Sequence, residues 1–367
     1  MNDQRIYLSP PNVGDDEFLQ VKSVFDGGWI APVGPSIDEF ESRLSAYFDR
    51  EVIALNSGTS ALHLALIIAG VESEDHVLVS AHTFAACANV VLYERATPIF
   101  IDSESETWNI DPHLLDKYLS QCKKLPKAII VTHIYGMPAK MKEVADIAKR
   151  YDIKLIEDAA ESLGSKIDGQ MTGGFGDYGV VSFNGNKIIT TSAGGALICN
   201  IKEKSRGLHL ATQANSGKFG YDHKEVGYNY RMSNVLAGIG IAQLANLYSF
   251  IARKRQIYQR YESELASYFA FLPEPSGSFS NRWLTAALVK HEAFDVEDLI
   301  SFLDANNIES RRFWKPLNLH DAYASYRFIG GGVGEQLYKR GICLPSGTGL
   351  SQEQQSYVID RVKSFFS

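Results

Sequence analysis

Cysteine is scarce and scattered in this chain. Cys87, Cys122, Cys199 and Cys343 are its only thiols in 367 residues, and no Cys-x-x-Cys pair occurs. That spacing argues against a zinc knuckle or a dithiol redox centre, so no metal site is expected. Isolated thiols in a chain this long fit a reducing cytoplasm. Positive charge is also in short supply: 36 Lys and Arg stand against 43 Asp and Glu, a net charge of −7. Such a balance leaves no basic footprint for nucleic acid or for an anionic membrane. No run approaches the roughly 20 apolar residues of a membrane span, and Met1-Asn-Asp-Gln-Arg-Ile6 has no apolar leader core. Internal repeats and low-complexity segments are missing too. What is present is ordinary for a globular chain: 45% hydrophobic and 22% charged residues, enough to bury a large core, in a length that suggests roughly two domains.

Residues 51 to 200 alternate short apolar runs with amphipathic segments. Val52–Leu55, Val77–Val79, Pro98–Ile101, Ala128–Val131, Ile153–Ile156, Val180–Phe183 and Ala196–Cys199 read as strands. Ser60–Ala69, Phe84–Tyr93 and Met141–Tyr151 read as helices between them. This βαβ rhythm predicts an α/β fold with a mostly parallel central sheet. Ligands of such sheets gather at the carboxyl ends of the strands, where Ser57, His133, Asp158 and Ser182 fall. One long helix is expected from Ser233 to about Phe269, with Leu236, Ile239, Ile241, Leu244 and Leu247 on its apolar stripe. The remainder reads as a smaller α+β C-terminal unit, with a strand over Arg282–Val289, helices over Val296–Asn306 and Gln352–Phe366, and a flexible turn at Gly330–Gly334. A division into 1–245 and 246–367, with an N-terminal arm on the first part, follows.

Five segments carry residues suited to chemistry. Lys187 follows the Tyr178–Phe183 run among small polar residues, and no acid separates it from Glu203. A lone amine at the end of an apolar strand suits covalent chemistry with a carbonyl; it also fits a loop lysine in water. Asn56-Ser-Gly-Thr-Ser60 is a small-residue turn into a helix, where free N–H groups and hydroxyls bind phosphate, or where Ser simply caps the helix. Asp158 and Glu161 close a buried strand, which is costly unless a cation meets them; a helix cap is the plainer reading of Asp158. In Tyr228-Asn-Tyr-Arg-Met-Ser-Asn234, Arg231 suits a phosphate or a structural salt bridge. In Glu309 to His320, Arg, Trp314, Lys315 and His320 suit an anionic, ring-bearing ligand, or form a mixed surface loop. A phosphate cradle, a strand-end Asp and a lone Lys together match the needs of pyridoxal 5'-phosphate (PLP).

The chain resembles the DegT/DnrJ/EryC1/StrS family of sugar-nucleotide aminotransferases across nearly its whole length. The resemblance runs through Trp29-Ile-Ala-Pro-Val-Gly-Pro35, Ser57-Gly-Thr-Ser-Ala-Leu-His63, Glu157-Asp-Ala-Ala160, Ser182-Phe-Asn-Gly-Asn-Lys187, Gly227-Tyr-Asn-Tyr-Arg-Met-Ser233 and Leu344-Pro-Ser-Gly347. Phe183–Thr191 and Phe313-Trp-Lys-Pro316 resemble the bacillosamine- and legionaminic-type branch, which aminates C4 of UDP-linked 4-keto-6-deoxy-N-acetylhexosamines.

The resemblance implies the type I PLP-dependent aminotransferase fold and a homodimer with shared active sites. It implies Lys187 as the lysine that bonds the cofactor carbonyl and Asp158 as the partner of the pyridine nitrogen. Phe84 would stack on the ring. Ser57, Gly58, Thr59 and Ser182 would hold the phosphate, with Asn229 supplied by the partner subunit. Trp29, Arg231, Trp314, Lys315 and His320 are the expected substrate contacts, and glutamate the expected amino donor. The chain departs from the family pattern in three places: Glu161, expected at the cofactor, stands where many relatives have Gln near its phenolic oxygen, Ala193 precedes Gly194-Gly195, and Asn318 replaces a frequent His. Related readings are a TDP-sugar 3- or 4-aminotransferase and a sugar 3-dehydratase, the latter disfavoured because such relatives carry His in place of Lys187. A non-catalytic PLP-binding regulatory protein would not need Lys187.

Overall fold

A computed structural model describes residues 5–291 and 294–367; the first four residues of the N-terminal stretch read above lie outside them. The central sheet has eight strands. Their order is Glu51–Leu55, Gly195–Cys199, Tyr178–Ser182, Lys154–Asp158, Ala128–Thr132, His76–Ser80, Thr97–Ile101 and Phe328–Ile329. Only Gly195–Cys199 runs against the rest, pairing antiparallel with both neighbours. The strands are apolar over most of their length because both faces are covered, as parallel sheets require, with Glu157 and Asp158 closing theirs. Side chains alternate between the two layers. Ile130 packs under the Gly58–Ile68 helix with Leu62 and Val79, while its neighbours Ile129 and Val131 meet the Met141–Arg150 layer. Truncating Ile130 to alanine is expected to cost about 2–5 kcal/mol.

A second sheet of four antiparallel strands follows: Phe269–Phe271, Thr285–Val289, Gly341–Leu344 and Arg311–Arg312. It buries its own cluster against helices Leu247–Leu265, Val296–Ala305 and Gln352–Phe366. Residues 5–8 were grouped with the large unit on sequence grounds, but they lie along this small one. Ile6 N–H donates to Asn307 at 2.8 Å, Glu309 N–H to Ile6 at 2.8 Å and Ser346 N–H to Leu8 at 2.7 Å.

Two local expectations are corrected. The long helix from Ser233 is two helices, Asn234–Ala245 and Leu247–Leu265, bent by 59° at Asn246. The first is apolar on all sides and packs on helices Asp15–Asp26 and Pro35–Phe48; the second is amphipathic and covers the small sheet. One straight rod could not serve both cores. The glycine run at Gly330–Gly334 is pinned: the buried Asp102 carboxylate accepts N–H groups of Gly332, Val333 and Gly334 at 2.7–2.9 Å. A Cβ on Gly330 would come within 2.2 Å of the Asp102 side chain, so glycine is needed there for close approach.

Candidate active site

The carboxyl ends of the central strands open into a cavity of about 320 Å³. Ser57, Gly58, Thr59, Phe84, Asp158, Glu161, Ser182, Lys187 and Trp314 all line it, and so do Trp283, Asn184, Asn186 and Thr132, which the sequence did not single out. Among the described residues no His, Cys, Asp or Glu cluster suits a metal ion.

Ser57 both caps and lines. Its Oγ accepts Ser60 N–H at 3.0 Å, as the helix-cap reading expects, and the residue also lines the cavity. Gly58 and Thr59 open the helix, where N–H groups have no intrahelical acceptor and attract anions. A Cβ on Gly58 would stand 3.1 Å from that of Ser182, and one on Gly195 would stand 2.4 Å from Gly58 nitrogen. The glycines therefore let three segments converge at the start of that helix.

Asp158 ends its strand and is 5% exposed. Its Oδ1 accepts Ala160 N–H at 3.1 Å and its Oδ2 accepts the Cys87 thiol at 3.0 Å. Burial and the Asp158 charge push the Cys87 thiol well up, so it stays a donor. Phe84 stands over the cavity, 58% exposed, with its ring 5.4 Å from that of Trp314.

Lys187 does not trail into water. Its Nζ lies 3.3 Å from Glu161 Oε1 and 4.2 Å from the Trp283 ring centroid. The acid missing from its neighbourhood in sequence comes from 26 positions upstream. Glu161 is fully buried; its Oε2 accepts Tyr135 N–H at 2.8 Å. Burial pushes its carboxyl up to about 7, against the opposing pull of Lys187 and of the Tyr135 N–H. Trp283 is fixed in turn by its indole N–H on Asn186 oxygen at 2.7 Å. A tryptophan face and a carboxylate thus orient the amine.

Several expected site residues lie elsewhere. Arg231 is held by the buried Glu41 and by Ala54 oxygen, as the structural salt-bridge reading expects, and does not line the cavity. His320 turns back on its own loop, its Nε2 3.0 Å from Lys315 oxygen, and neither residue lines the cavity. Trp29 is 55% exposed and outside the cavity, as is the exposed Asn229, whose oxygen accepts Asn56 Nδ2 at 3.1 Å. His133 is buried beneath the rim, where its Nδ1 accepts Ala139 N–H and its Nε2 faces Glu157 at 3.1 Å.

A second chamber of about 590 Å³ adjoins the first through Phe84, Asn186, Trp283 and Trp314. Its walls include Tyr7, Pro10, Tyr135 and Arg311. No sequence signal marked Trp283 or the N-terminal arm as chamber walls, because only the packing of the small unit brings them there.

An amine, a buried acid, an aromatic face and an anion cradle around one cavity define a PLP-dependent transferase. The model of the DegT/DnrJ/EryC1/StrS aminotransferase family matches residues 11–363, and the chain belongs to that family. It is 43% identical to the putative pyridoxal phosphate-dependent aminotransferase EpsN of Bacillus subtilis, over 99% of this chain and 96% of that one. It is 35% identical to GDP-perosamine synthase of Escherichia coli O157:H7, over 97% of each chain. Among solved structures, the PLP form of the putative sugar aminotransferase Spr1654 from Streptococcus pneumoniae superposes with a TM-score of 0.91 at 28% identity, covering 98% of both chains. The protein is a PLP-dependent sugar aminotransferase with the fold of those enzymes.

Proposed function

We propose that this enzyme aminates C4 of a UDP-linked 4-keto-6-deoxy-N-acetylhexosamine, with glutamate as amino donor, in the cytoplasm and for surface glycan synthesis. The observation that carries the reading is the placement of Lys187, Asp158 and Phe84 around one cavity that opens into a larger chamber. The cofactor fits the donor set of the first cavity, and the chamber leaves room for a bulky second ligand. UDP rests on the resemblance of Phe183–Thr191 and Phe313–Pro316; the E. coli relative, named for a GDP-linked product, makes GDP the rival nucleotide.

Bound PLP supplies an electron sink for a carbon that gives up a proton. The residues around it divide the remaining work. Backbone N–H groups of Gly58 and Thr59, with the Ser57 and Ser182 hydroxyls, hold the phosphate. Phe84, at the cavity wall, would cover the ring face. Asp158 holds a proton on the ring nitrogen, its own orientation fixed by Ala160 N–H and the Cys87 thiol. Lys187 Nζ would be the group that takes and returns the proton at the substrate carbon, a role that typically contributes about 10²- to 10⁴-fold. Glu161 Oε1 lies 3.3 Å from that nitrogen and helps to orient it, with burial raising its carboxyl to about 7.

A homodimer belongs to the same reading. Phe18, Phe25, Trp29, Ile30 and Val33 are all exposed within one short stretch, an apolar surface of the kind that a partner covers. Asn229 and Trp29, outside their own cavity, are then available to the partner's. The deciding experiment loads the enzyme with amino groups and measures single-turnover rates with UDP-, GDP- and TDP-linked 4-keto sugars. The UDP sugar is expected to react fastest; a GDP preference replaces the nucleotide, and no reaction with any of them removes the substrate class.

A further inference from the structure

Lys254 is a buried titratable group with no part in the chemistry above. It sits on helix Leu247–Leu265 and is 2% exposed. Its ammonium donates to Trp283 oxygen at 2.9 Å, Ser346 oxygen at 2.9 Å and Ser9 Oγ at 3.2 Å. Among the described residues it has no carboxylate partner, and burial alone pushes it down to about 7. A buried amine without counter-charge is expensive, and an aliphatic side chain would fill a helix core position at less cost. What the amine adds is three directed hydrogen bonds.

The three acceptors lie on three separate segments. Ser9 belongs to the N-terminal arm, Trp283 precedes strand Thr285–Val289, and Ser346 follows strand Gly341–Leu344. Ser9 and Trp283 both wall the 590 Å³ chamber. The Ser346 loop grips the arm directly: Ser346 N–H donates to Leu8 oxygen at 2.7 Å, and a Cβ on Gly347 would stand 2.9 Å from Pro10. Trp283 is also the ring beneath Lys187. One nitrogen therefore joins the arm, the C-terminal loop and the tryptophan that borders both cavities.

We propose that Lys254 is a positioning residue whose ammonium ties the N-terminal arm and the Ser346 loop to Trp283, and so sets the wall that the large substrate meets. The proposal rests on the nucleotide-sugar reading only for the identity of that substrate. Lys254→Met keeps an unbranched stem and removes all three donors; replacing buried charge by apolar bulk is often tolerated in folding. In the PLP-loaded variant, half-saturation by the 4-keto sugar nucleotide is expected to rise tenfold or more. Its limiting rate, and the half-reaction with the small amino donor, are expected to stay within about threefold, the range of one ordinary hydrogen bond. Ser9→Ala removes the arm's acceptor alone and is expected to move the same constant in the same direction by about threefold. Hydrogen exchange supplies a readout independent of substrate: the Ile6 and Leu8 amides are expected to exchange at least tenfold faster in Lys254→Met holoenzyme, and measurably faster in Ser9→Ala. Unchanged arm exchange, or equal losses in both half-reactions, overturns the proposal. If Lys254→Met does not fold, Ser9→Ala decides by the same two readouts. Failure of the wild type with every keto sugar nucleotide instead removes the substrate reading and leaves the exchange result to judge the clamp.

Discussion

Glu157 and Asp158 are consecutive on one strand and both are buried, yet they face opposite layers and do opposite things. Glu157 is fully answered by the fold. It accepts N–H groups from Gly173 at 2.8 Å, Gly176 at 2.6 Å and Phe175, and it faces His133 at 3.1 Å. Asp158 receives one N–H and one thiol and otherwise looks into the cavity. A strand's alternation makes this possible, since one step along the chain crosses the sheet. The comparison teaches that a buried acid is read by its open lone pairs. Saturated by backbone donors it is structural; left with room beside a cavity, it is available to a ligand.

The sharpest break of this contrast starts at the amine that shares the cavity. Lys187→Ala is expected to lower turnover by at least 10²- to 10⁴-fold while keeping the fold, and borohydride should no longer fix PLP to the protein. A covalent adduct on that variant would move the chemistry to another residue. Next come the two acids themselves. Glu157→Ala is expected to cost about 3–5 kcal/mol of stability, because it leaves several buried partners unanswered. Asp158→Asn should change stability by less than about 1 kcal/mol, yet cut turnover by about 10²-fold or more, with a changed absorbance of bound PLP. Chemical denaturation and single-turnover absorbance together decide it; exchanged phenotypes would collapse the contrast. Arg231→Met extends the test to a paired cation: stability is expected to fall by about 1–3 kcal/mol, because Glu41 is left buried, while substrate half-saturation holds.

Glu161 gives a smaller effect with a defined sign. Its carboxyl is raised from 4.5 to about 7, so the folded state holds a proton that the unfolded chain releases. Stability from this group is therefore present below about pH 4.5 and declines as pH climbs to about 7. Glu161→Gln is expected to flatten that slope in urea titrations across the window. An unchanged slope would mean that burial does not hold the proton there.

Much of the site was legible because its parts are local. Strand ends, a Ser-Gly-Thr-Ser turn and a lone lysine can be read from consecutive residues, and the structure places Ser57, Gly58, Thr59, Asp158, Ser182 and Lys187 around one cavity. What escaped was set by distant partners. Nothing near Arg231 announces Glu41, 190 positions earlier, and nothing near Lys187 announces Glu161 or Trp283. The helix break at Asn246 was hidden because the apolar stripe continues across it in sequence while the two cores it serves diverge in space. The glycine run at Gly330 suggested freedom, whereas the Asp102 carboxylate answers its backbone donors.

The short strand Phe328–Ile329 has a consequence for how the protein is made. It completes the edge of the central sheet beside Thr97–Ile101, although more than two hundred residues separate the two in the chain. During synthesis the Thr97 edge therefore waits for Phe328 and Ile329, and the arm at Ile6 likewise waits for Asn307 and Glu309. An unsatisfied strand edge is a template for wrong pairing. Until residues 328 and 329 have been made, the nascent chain thus carries that edge without the strand that covers it.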